Sequence, residues 1–70
     1  MKFLLVLTVC STVADVCLPP AEMWPLYDSH YDCATAGYIN SMGLMREFGE
    51  PKVNENKIMV AFKCIEQPSV

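Results

Sequence analysis

Basic residues are scarce in this 70-residue chain. Five Lys and Arg stand against eight Asp and Glu, for a formal net charge of −3 and a pI near 4.8. No positive surface is available to neutralise a phosphate backbone, so nucleic acid is excluded as a partner. No apolar run approaches the ~20 residues a helix needs to cross a bilayer. There is no Cys-x-x-Cys pair, which removes thioredoxin-like redox work. The cysteines at 10, 17, 33 and 64 are too widely spaced for the paired ligands of a common zinc site. Histidine occurs once, at His30. Gly37, Gly43 and Gly49 fall within or after a helical pattern and open no phosphate loop. The carboxylates show no spacing that marks an acid–base pair, and neither a glycosylation sequon nor an internal repeat is present. No catalytic, cofactor-binding or metal-binding set emerges. The length excludes the large enzyme folds of about 250 residues and leaves room for one small domain.

What the chain does have is apolar content. Hydrophobic residues make up 53% and charged ones only 19%, which argues against disorder. A chain this short buries only about 60% of its unfolded surface, so its core is marginal.

The apolar N-terminus admits two readings. In the first, residues 1–14 are a secretory signal peptide. Lys2 supplies the positive end, Phe3 to Val9 a short apolar stretch, and Thr12-Val13-Ala14 a cleavage site, leaving a mature chain of residues 15–70. A lipoprotein variant would use Cys10, but Val9 is bulky where such sites want a small residue. In the second reading the stretch is a strand of a single domain spanning 1–70. Phe3, Leu5, Leu7 and Val9 then share one side and Leu4 and Val6 the other, the pattern of a central strand covered on both faces. Cysteine parity favours the strand, because cleavage after Ala14 would leave three cysteines and one unpaired.

The remainder divides into short elements. Residues 15–18 read as a second strand ended by Pro19-Pro20, and residues 19–27 as an extended connection containing Met23 and Trp24. These two residues either lid the core or stand out as binding anchors. Residues 29–48 read as a helix. Ser29 is its cap, Gly49 its terminator, and Pro51 blocks continuation. Tyr31, Ala34, Tyr38, Met42, Met45 and Phe48 recur at helical spacing and predict the buried stripe. Gly37 borders that stripe and allows close approach to a sheet. Residues 50–56 suit a loop or one helical turn. Residues 57–65 alternate as a third strand, with Ile58, Val60, Phe62 and Cys64 turned to the helix and Met59, Ala61, Lys63 and Ile65 turned away.

These elements predict an α+β fold, a small β-β-α-β domain whose three-stranded sheet has the order 2-1-3 and carries one helix on one face. The opposite face, with Met59, Ala61 and Ile65 beside Leu4 and Val6, is left bare unless residues 19–27 or a partner cover it. The same layout pairs the cysteines. Cys10 meets Cys17 across the hairpin, and Cys33 in the first helical turn lies near Cys64 at the end of the last strand. A Cys33–Cys64 bridge would be worth about 3.5 kcal/mol in the chain-entropy account, comparable with the whole net stability of so small a core. Disulfides require an oxidising compartment, whereas a retained N-terminal strand leaves no evident export signal; in a reducing cytosol the four thiols would stay as small buried hydrophobes. His30 beside Cys33 could form a Cys–His nucleophile, but a polar helix-start residue next to a structural cysteine accounts for both.

The ordered set Cys10-Ser11, Cys17, Tyr31-Asp32-Cys33, Ala36-Gly37-Tyr38, Ser41, Val53-Asn54 and Phe62-Lys63-Cys64 resembles a group of short uncharacterised proteins encoded by marine tailed bacteriophages. The resemblance spans nearly the whole chain and implies no activity. Two functions follow as expectations. One is a non-enzymatic accessory protein of the host cytoplasm that binds a host or virion protein through Trp24, Met23, Met59 and Ile65. The other is an exported protein of the periplasm or exterior that acts at the envelope, for example in superinfection exclusion. Neither requires a cofactor.

Overall fold

Residues 2–68 are described by a computed structural model. The apolar N-terminus forms the longest-paired strand of the molecule. Strand β1 (Lys2–Ser11) is flanked on one side by β2 (Val16–Cys17) and β3 (Ala21–Tyr27), and on the other by β4 (Ile58–Gln67). All three partners run antiparallel to it. β4 pairs along its whole length, from Lys2 opposite Gln67 to Ser11 opposite Ile58. Between β3 and β4 the chain crosses one face of the sheet as helix α1 (His30–Phe48) and helix α2 (Glu50–Asn56). The fold is α+β, with four strands and two helices where the sequence predicts three and one.

The extra strand lies in residues 21–27. Their prolines argue for a mere connection, but proline is tolerated on an edge strand and at bulges. Pro25 meets both conditions. β3 is an edge strand, and it takes four steps from Met23 to Tyr27 while β1 takes two from Leu5 to Phe3, so Pro25 sits in an irregular bulge. Because β2 and β3 occupy successive stretches of the same edge, β1 remains central. The predicted arrangement of strands 2, 1 and 3 survives with β4 as its third strand.

The core is correspondingly narrow. Leu4, Leu5, Val6 and Leu7 of β1, together with Cys33 of α1, are its buried apolar residues, and Leu5 and Cys33 are fully enclosed. Loss of residues 1–14 would remove four of these five side chains. At about 25 cal/mol per Å² of apolar surface, no other segment of the chain could replace them.

α1 begins where its cap predicts. The Ser29 hydroxyl accepts the Asp32 backbone N–H at 3.1 Å, and Gly49 closes the helix with φ 86° and an N–H donated to the Met45 carbonyl. The side it buries differs from the predicted stripe. Cys33 and Gly37 are buried, while Tyr31 and Tyr38 are 68% and 66% exposed and Met42 is exposed with them. Small side chains decide this rotation. A Cβ on Gly37 would overlap the Phe62 ring, so the helix backbone approaches β4 more closely than a stripe of tyrosines and methionines permits. The Asn40 side chain and the Ser41 hydroxyl, half-buried on the sheet side, donate to the carbonyls of Ala36 and Gly37 at 2.7 Å and so bring no unpaired polar group to the interface. Tyr38 packs edge-on against Phe62 from the flank, with ring centroids 4.8 Å apart.

Residues 50–56 also depart from expectation. Gly49 redirects the chain, and Pro51 then falls in the first turn of α2, where its missing N–H leaves no bond unmade. The helix ends at Lys57, whose left-handed backbone (φ 49°) turns the chain into β4.

Candidate interaction surface

Two disulfides fix the sheet to its surroundings. Cys10 and Cys17 are directly opposed on β1 and β2, 4.0 Å apart at Cα, and their bridge pins the β1–β2 hairpin. Cys33 and Cys64 are bridged with their Cα atoms 6.1 Å apart, which ties the first turn of α1 to β4. These are the pairings the topology predicts. The Cys33 sulfur is therefore bonded to Cys64 and presents no thiol to His30, whose ring instead lies edge-on against Phe3 at 5.7 Å. Among the described residues no cluster of His, Cys, Asp and Glu is placed to hold a metal ion.

No helix covers the face of the sheet opposite α1, where side chains from the flanking strands alone shield Leu4 and Val6 on β1 and stand exposed themselves. Cross-strand register sets its composition. Leu4 lies opposite Ile65, Val6 opposite Lys63, Thr8 opposite Ala61 and Cys10 opposite Met59, and directly opposed residues share a face. On the other side of β1, Val6 is opposite Glu22. Val6, Thr8, Pro20, Glu22, Trp24, Lys63 and Ile65 line one shallow depression. Apolar and charged groups mix around it, with Trp24 64% exposed and Ile65 exposed beside Glu22 and Lys63, and Met59, also exposed, lies farther along the same face. Residues 21–27 do not fold over this face. They widen it by one strand.

Three of the four residues expected to make contacts, Trp24, Met59 and Ile65, thus belong to one surface. Met23 does not. Opposite Leu5 on β1, it is half-buried on the helix side, where it lines a recess with Leu7, Leu18, Leu44 and Phe48. Strand alternation separates neighbours 23 and 24, and that separation appears only once 21–27 is known to be a strand. Glu22 and Lys63 went unremarked as site residues for the same reason, since only register places them on either side of Val6.

A second apolar patch lies on the outer side of α1. Tyr31, Thr35 and Ile39 line a groove with Leu26 and Tyr27. It follows from the rotation of the helix, which leaves Tyr31, Tyr38 and Met42 of the predicted stripe in solvent while Ala34, Met45 and Phe48 stay half-buried.

Charge on the molecule is sparse and peripheral. Among the described residues the one ion pair joins Lys2 and Asp28 at the end of the sheet. The hydrogen bond from Lys2 and its positive charge hold the Asp28 carboxyl below the usual carboxylate range. No helix among the described residues is long and apolar enough to cross a membrane.

These features define a disulfide-stapled α+β domain with one uncovered sheet face. No family model, curated protein or solved structure matches the chain.

Proposed function

We propose that this chain is a small non-enzymatic interaction protein, encoded by a tailed bacteriophage, that docks a protein of the host or virion on its bare sheet face. The observation that carries this reading is Trp24 standing 64% exposed, with Ile65 across the same depression, on the sheet face that no helix covers. A large aromatic on a rigid strand, rimmed by polar groups, is the kind of anchor that concentrates binding energy. The phage assignment rests on the sequence resemblance alone.

The test is partner capture from infected cells by wild type and by a Trp24→Ser/Met59→Ser/Ile65→Ser variant. All three side chains are exposed, so the variant should retain the wild-type circular dichroism spectrum. The reading expects it to lose the captured partner. A folded triple variant that captures the same partner refutes it.

The two disulfides favour a second reading, an exported protein acting at the envelope, because such bridges persist in oxidising compartments. In that case the N-terminal strand must survive export, since residues 4–7 supply most of the core. Intact mass of the protein isolated from its producing cell separates the cases. A full-length oxidised chain recovered outside the cytoplasm supports export with the strand retained, a full-length reduced chain from the cytoplasm removes the exported reading, and a chain starting at Asp15 would contradict the fold itself.

A further inference from the structure

We infer that the occupant of the bare face is a second copy of this chain, in a two-fold dimer whose symmetry axis runs parallel to the strands. This takes the surface of the docking reading above and assigns it a different occupant.

Three observations carry it. The first is area. A monomeric protein of 7.8 kDa exposes about 4,400 Å² on average. This chain exposes 5096 Å², about 700 Å² more than that average over the whole molecule, and Trp24, Met59 and Ile65 are the large apolar side chains that this face contributes to the surplus. The second is unused charge. Glu22 and Lys63 both line the depression, yet neither belongs to an ion pair in the described chain, whose one pair is Lys2–Asp28.

The third is placement. Glu22 on β3 and Lys63 on β4 lie opposite the same residue of β1, Val6. They are therefore at one level along the strands and on opposite flanks. When a second sheet packs face to face about an axis parallel to the strands, its β3 lies over the first copy's β4. Glu22 of each copy then meets Lys63 of the other and Trp24 lies over the Ile65 flank, with Val6 at the floor of the depression beneath them. An axis across the strands would instead bring Glu22 onto Glu22 and Lys63 onto Lys63. The charge pattern selects the first arrangement, which is the aligned packing of a β-sandwich with about 10 Å between sheets. A patch carrying one charge of each sign about a common centre is self-complementary, as a two-fold interface requires.

The experiment is sedimentation equilibrium on the oxidised full-length chain, read together with emission from its single tryptophan, Trp24. Wild type should dimerise in the micromolar range with a blue shift of Trp24 emission on association. Glu22→Lys alone and Lys63→Glu alone should each weaken association by roughly tenfold or more, because like charges then oppose across the interface. The Glu22→Lys/Lys63→Glu double variant should restore it to within about threefold of wild type, since the pair is exchanged and not lost. All are surface changes, and circular dichroism checks that each variant is folded. A chain that stays monomeric at about 1 mM, with unshifted Trp24 emission, overturns the inference. So does a dimer indifferent to both single charge reversals. Neither result touches the capture experiment, which judges a heterologous partner separately.

Discussion

The Cys33–Cys64 bridge should dominate the stability of this domain, and its removal gives a sharp expectation. The bridge closes a sequence separation of 31 residues, whereas Cys10–Cys17 closes 7. The chain-entropy relation assigns about 3.5 kcal/mol to the longer loop and about 2.4 kcal/mol to the shorter. At 0.05–0.15 kcal/mol per residue, a domain of this length has a net stability of about 4–10 kcal/mol. Replacing both partners, as in Cys33→Ala/Cys64→Ala, should therefore remove a third or more of the total. Since Cys33 is fully enclosed, the truncated side chain also leaves a small void that adds to the loss. For a domain this size each kcal/mol corresponds to about 4–8 °C, so Tm should fall by roughly 15–25 °C. The Cys10→Ala/Cys17→Ala variant should fall by roughly two-thirds as much, because it frees only a hairpin end. Urea titration followed by circular dichroism reads both, and because the released chain is less constrained when unfolded, the slope should rise as the midpoint falls. A loss below about 1 kcal/mol for the Cys33/Cys64 variant, or a larger loss for the hairpin variant, would refute the loop-length reasoning.

Other substitutions test other parts of the packing, each read by the same titration. Gly37→Ala should destabilise by about 1–3 kcal/mol because its methyl group meets the Phe62 ring. Gly43→Ala should stabilise by up to about 1 kcal/mol, since nothing lies near that position and alanine is the better helix former. Leu5→Ala removes a fully enclosed side chain from the central strand and should cost about 2–5 kcal/mol, whereas Trp24→Ala should change stability by less than about 1 kcal/mol. The Lys2–Asp28 pair should contribute only above the ordinary carboxylate pKa of about 3.9, and its contribution should vanish as pH falls through the lowered Asp28 value. The gap between wild type and Asp28→Asn should thus be small at neutral pH, shrink with added salt and close in acid once the Asp28 carboxyl is protonated; a gap that widens in acid would contradict the assignment.

What could be read from the chain in advance divides along physical lines. The two-sided apolar run of residues 3–9 suits a central strand and an export signal alike, and cysteine parity tips the balance to the strand. The alternation of 58–64 likewise sets which side chains meet the helix, and once those two elements are placed the cysteines have nearby partners. Residues 21–27 hid their pairing behind Pro19, Pro20 and Pro25, which are strand breakers only where a strand has two neighbours. The orientation of α1 was misleading for a different reason. Periodicity weighs Tyr31, Tyr38 and Met42 as the buried side because they are large, but the disulfide at Cys33 and the gap at Gly37 let the small side approach nearer. Glu22, Trp24 and Lys63 become neighbours only through register, which no single segment encodes. Residues 50–56 read as a loop or a single helical turn, shorter than α2, because Gly49 and Pro51 mark the end of one helix as readily as the start of another.

Native-state hydrogen exchange on the oxidised chain, resolved along residues 2–11, is the most direct trial of β1 as the interior ribbon of the sheet. Amides from Leu4 to Val9 are bonded to flanking strands and should be the slowest in the molecule, opening only with global unfolding. If they exchange at unfolded rates while α1 stays protected, the N-terminal segment is not part of the fold and the account fails with it.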